Sequence, residues 1–135
     1  LWFGLYGALG SYIGPLFGGL MEGLSIVAAA AQKFGDFLQS FIPFLAFHYL
    51  KGDPALTRKR DWLLFFLFAF LINNAIGALI GVTSIWYFFH VPARIMFTIG
   101  YLTWILSNWI VVVVISIPVL KIVTPYIKKT RLYLL

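Results

Sequence analysis

The feature that most constrains this chain is the spacing of its charges. No Lys, Arg, Asp or Glu falls between Trp62 and Pro92 or between Ile95 and Leu120, and Leu1 to Met21 is uncharged as well. A helix rises about 1.5 Å per residue, so about 20 apolar residues cross a hydrocarbon layer of about 30 Å. All three runs are long enough for that. With 62% hydrophobic and 10% charged residues, the 135-residue chain also lacks the polar sequence to cover a water-facing surface. A soluble globule is therefore excluded, and a lipid bilayer is the expected solvent.

A fourth apolar run, Phe37 to Leu50, is short unless its helix starts earlier, near Ile26 or Lys33. The fold class expected is all-α, a polytopic transmembrane helical bundle forming one domain over 1–135. Its spans are placed at about 1–21, 30–50, 62–85 and 95–120, with a basic loop at 51–61 and a basic tail at 121–135. No run alternates with the period of two that a membrane β-barrel needs. Gly52, Asp53 and Pro54 supply helix breakers, after which Thr57 or Asp61 can cap the next helix. Because Leu1 lies inside an apolar run and is not a methionine, a further N-terminal part is expected before it. A cleaved signal peptide is a poor reading, since no charged start or cleavage site is seen.

The ten Lys and Arg against four Asp and Glu give a formal charge of +6, but the excess is local. Lys51, Arg58, Lys59 and Arg60 crowd one loop, and Lys121, Lys128, Lys129 and Arg131 crowd the tail. The positive-inside rule places both clusters in the cytoplasm and the His90 to Arg94 turn outside. That gives a multi-pass protein of the cell (inner) membrane with both visible ends cytoplasmic. Such a pattern sets topology and is no nucleic-acid footprint.

Gly7, Gly10, Gly14 and Gly18 recur every three or four positions and share a helix face, which lets a neighbouring backbone approach closely. Ordinary packing in the bundle is favoured for this face over docking of a partner subunit. Pro15 adds the prospect of a kink or a broken helix near Gly18 and Gly19. Gly77 and Gly81 repeat the packing signal, so all six glycines are candidate partner-contact positions. Glu22, Lys33 and Asp36 cluster near the expected outer interface, and Lys33 and Asp36 have the spacing of an ion pair.

Asn73 and Asn74 fall near the centre of the third span, and Ser107 and Asn108 at similar depth in the fourth. An interhelical hydrogen-bond network between them is the economical reading. The alternative turns the same amides, with Trp104 and Trp109 as flat walls, towards an outward-open pocket for an organic ligand. Asp36, Asn73, Asn74, Trp104 and Asn108 are the candidate ligand-binding residues. With no cysteines, Cys-type zinc sites and thiol nucleophiles are excluded. His48 and His90 have no second ligand at metal spacing, so no metal and no cofactor are expected. No combination of nucleophile, base and orienting group is present, and no catalytic role is expected.

The runs LYGALGSYIGPLFGGL, KFGDFLQSFIPFLAFHYL and LINNAIGALIGVTSIW, with the basic loop between the last two, resemble the substrate-binding components of energy-coupling-factor vitamin transporters. That resemblance implies a bundle of about six helices holding a small molecule near the outer face. It also implies an early small-residue face against a membrane-embedded coupling protein. Gly7 to Gly18 would then be the contact, and Asp36, Asn73, Asn74, Trp104 and Asn108 the pocket. A weaker resemblance is to membrane-associated sensory domains, which share a glycine-rich span, a basic loop and a late apolar helix ending at a proline, here Pro118. The function expected is a small-molecule binding and uptake component. A structural or accessory subunit of a larger membrane complex and a sensory input domain are the alternatives. Expected partners are the bilayer, other membrane subunits and a small-molecule ligand, without nucleic acid.

Overall fold

The computed structural model describes residues 1–135. Four helices follow one another: α1 over Gly4–Met21, α2 over Ile26–Tyr49, α3 over Lys59–Phe89 and α4 over Ala93–Ile127. There are no strands. Each helix packs on the next, α1 on α2, α2 on α3, and α4 along α3.

The turns are set locally. Gly23, at φ +90°, ends α1 in a conformation that glycine takes without steric penalty. Ser25 then caps α2, its hydroxyl accepting from the Ala28 N–H at 3.3 Å. The second helix thus starts at Ile26, four residues before the 30–50 span expected, so residues 26–32 extend it and form neither loop nor hairpin. Pro15 does not break α1, which runs through it. His90, at φ +54°, closes α3, and Pro92 opens α4.

Both long helices depart from regular α geometry, with π-helical turns over Phe65–Ile72, Met96–Gly100 and Val112–Ser116. Such turns shift the backbone register and leave carbonyls for other donors. The Phe70 carbonyl accepts from Asn74 Nδ2 at 2.7 Å and from Trp109 Nε1 at 3.0 Å, and the Phe70 and Trp109 rings stack at 4.9 Å. This is the main polar tie between α3 and α4.

The buried apolar cluster sits at one end of the bundle, where Phe47, Leu56, Leu64, Phe65, Ala69 and Leu120 meet beneath the 51–58 loop. Elsewhere the buried apolar residues are small, Ala8, Ala28, Ala29, Ala78 and Val82 where the helices cross, and most large apolar side chains point outward. The most apolar stretch of α4 is only 11% buried, against 39% for that of α3. Both are long and apolar enough to cross a membrane, and α4 is not the sequestered core helix of a globule.

Candidate functional site

The α2–α3 loop and the C-terminal tail meet at the end that carries the core. Asp61, completely covered, is the hub of this junction. Its Oδ2 accepts from the Arg58 N–H at 2.9 Å, closing the first turn of α3, and its Oδ1 accepts from the Asp53 N–H at 3.0 Å. The Arg58 guanidinium adds a forked pair at 3.2 and 3.1 Å.

Asp53 reaches across the chain, its Oδ1 accepting from Lys128 Nζ at 2.6 Å and from the Ala55 N–H at 2.9 Å. Partial burial works to raise the Asp53 carboxyl. The Lys128 ammonium, the Ala55 N–H and the Thr57 hydroxyl outweigh that and hold it below the usual carboxylate range. The tail is tied further by the Leu134 N–H on the Trp2 carbonyl at 2.8 Å, and the Trp2 indole donates to the buried Thr124 hydroxyl at 2.9 Å. The two basic clusters therefore lie at the same end. Of their eight cations, Arg58 and Lys128 are ion-paired, and the other six have no carboxylate within 4.0 Å.

The middle of the bundle holds the polar residues. Gly35 on α2 meets the backbone of Gly77 on α3, where a Cβ would sit 3.2 Å from the Gly77 carbonyl oxygen. One turn along each helix, Asn73 Nδ2 donates to the Gln39 carbonyl at 3.1 Å. The Gln39 side chain occupies the space that a Cβ on Gly77 would fill, and Trp104 does the same at Gly81. At Gly77 and Gly81 the neighbouring space is thus filled from within the chain.

Beside this crossing lies a cavity of about 340 Å³ lined by 13 residues, among them Gln39, Ser40 and Pro43 of α2, Phe65, Ala69 and Asn73 of α3, and Val112 and Ser116 of α4, with Trp2 at its end. No charged side chain lines it. Gln39 Nε2 and Asn73 Oδ1 are buried without a hydrogen-bond partner, as is Asn108 Nδ2 on α4.

Of the expected ligand-binding residues, only Asn73 lines this cavity. Asn74 bonds within its own helix, Trp104 packs on Gly81, and Ser107 is exposed, so the expected Asn73/Asn74 to Ser107/Asn108 network does not form. Asp36 is half-buried on α2 and makes no ion pair with Lys33 within 4.0 Å; its backbone carbonyl accepts from the Ser11 hydroxyl at 3.3 Å. The face of α1 that packs on α2 carries Ala8, Ser11, Tyr12 and Gly19. Gly10, Gly14 and Gly18 have no atom within 4 Å of a built Cβ, and Gly7 meets only Phe3 of its own helix. The stripe expected to pack inside the bundle is thus open.

Gln39, Ser40 and Ser116 were not singled out from sequence. The only signal for Gln39 is an amide in an apolar run with a glycine one turn before it. Comparison with protein-family models, curated proteins and solved structures finds no match for this chain.

Proposed function

We propose that the chain is a multi-pass integral membrane protein that binds a small molecule within its bundle and serves uptake, with no catalysis of its own. All four helices cross the bilayer in this reading, and the end carrying loop 51–58 and the tail faces the cytoplasm. The observation that carries it is the inversion of polarity. Apolar side chains cover the outside of α3 and α4, while Gln39, Ser40, Asn73 and Ser116 gather along a mainly apolar cleft between the helices. Lipid accepts the first arrangement, and a ligand gives the second its use. The six unpaired cations at one end support the orientation.

The test is purification from native membranes in mild detergent, with native mass spectrometry of the complex. An uptake component carries a stoichiometric small molecule and co-purifies with an ATP-hydrolysing module. A chain that arrives with lipid alone and no such module contradicts the reading.

A second reading, an accessory subunit of a membrane complex, is favoured by the open Gly10, Gly14 and Gly18 face. Cysteines placed at those positions would then cross-link to another subunit in native membranes, and would stay unlinked if lipid covers the face.

A further inference from the structure

The geometry points to a site for a small uncharged molecule that carries a hydrogen-bond donor and acceptor side by side on an apolar body, such as a primary amide or a lactam, in the cavity between α2, α3 and α4. This inference rests on the ligand-binding reading above and names the ligand's chemistry and the residues that meet it.

Three observations combine. The volume, about 340 Å³, lies at the small end of the range of about 300 to 1,000 Å³ for organic ligands. Apart from the terminal amine of Leu1, none of the 13 lining residues carries an ionisable group, so an ion entering would lose its hydration with no side-chain counter-charge in return. Polar groups nevertheless converge there from opposite helices. Ser40 on α2 and Ser116 on α4 line the cavity, and neither hydroxyl bonds back to its own helix, the usual resort of a helical serine. Behind them Gln39 Nε2 and Asn73 Oδ1, a donor and an acceptor, are left unpaired in a buried setting.

Both atoms are covered in the structure. The Asn73 carboxamide is held by its Nδ2 on the Gln39 carbonyl, and the Gln39 amide rests in the slot left by Gly77. A ligand seats first on the two hydroxyls, and the Gln39 amide then turns out of that slot to complete the set. At one end the Trp2 indole, pinned by Thr124, forms the wall. Buried polar atoms without partners weaken a fold, and a ligand reaching these two would supply the missing bonds.

Benzamide tests this, with benzoate as the charged analogue of the same shape and N,N-dimethylbenzamide as the analogue without a donor. Binding to the purified full chain is followed by saturation-transfer NMR and by thermal unfolding. Benzamide binds saturably, benzoate does not, and the dimethyl compound binds about tenfold more weakly. Gln39→Met keeps the volume, loses about tenfold in benzamide affinity, and raises the melting temperature of the ligand-free chain because it removes an orphaned donor. A structural role for Gln39 gives the opposite, a lowered melting temperature with unchanged affinity, and overturns the proposal. So does equal binding of benzamide and benzoate, or no saturable binding of benzamide to the folded wild type. Saturable binding in a chain that co-purifies with no ATP-hydrolysing module leaves the site standing and removes the uptake reading alone.

Discussion

Asp61 holds the largest share of the loop's polar bonds. It lies in the first turn of α3 and satisfies the N–H groups of Arg58 and Asp53 while pairing with the Arg58 guanidinium. Asp61→Ala leaves those donors unmatched under a covered loop, and stability should fall by roughly 2 to 3 kcal/mol in a thermal or denaturant melt. The Asp53–Lys128 pair is more exposed and contributes roughly 0.2 to 1 kcal/mol. Its pH dependence has a fixed sign. Asp53 titrates below its usual 3.8 in the folded chain, so its contribution is complete above that value and is lost as pH falls through the lower, folded value. Spin labels on the loop and the tail should therefore keep one separation from pH 7 down to about 5 and diverge only in stronger acid. Divergence already near neutral pH would count against the carboxylate as the latch.

At the scale of the helices, the filled positions Gly77 and Gly81 and the open stripe predict opposite responses. A Cβ at Gly81 overlaps the Trp104 ring, so Gly81→Ala should destabilise by roughly 1 to 3 kcal/mol, as overpacked cores do. Gly14→Ala meets nothing and should be neutral or gain roughly 0.5 to 1 kcal/mol from helix propensity. Equal losses at both sites would show that the Gly14 face is covered by another part of the same chain. The helices themselves were legible in the sequence, because apolar run length, Gly52 to Pro54 and Pro92 act locally. The start of α2 was legible only as near Ile26 or Lys33, although Ser25 stands where the cap of a helix from Ile26 is needed. Polar partners were not legible. Each residue turns a helix by about 100°, so the azimuth that sends Asn73 to Gln39 and Asn74 to its own backbone depends on packing between helices, and π-helical turns shift that azimuth again. The same uncertainty of rotation put the glycine stripe inside the bundle when it faces out.

Across the whole molecule, the ends of the chain tell one story. The Leu134 N–H on the Trp2 carbonyl and the Lys128 ammonium on Asp53 gather both termini and the α2–α3 loop at the end that holds the apolar cluster. The Glu22 to Ser25 and His90 to Pro92 turns lie at the other. Of the candidate site, the sequence singled out one cavity residue, Asn73. Gln39, Ser40 and Ser116 are uncharged polar residues in apolar runs, and only the crossing of α2 with α3 and the lie of α4 give them a common space.

The central claim is that lipid surrounds these helices with the loop and the tail on the cytoplasmic side. The chain has no cysteine, so single cysteines at Lys59, His90 and Thr130 report without background. In intact cells, a membrane-impermeant maleimide should label the cysteine at position 90 alone, and those at 59 and 130 only after permeabilisation. Labelling of positions 59 and 130 on opposite sides, or of all three from outside in intact cells, would contradict the account.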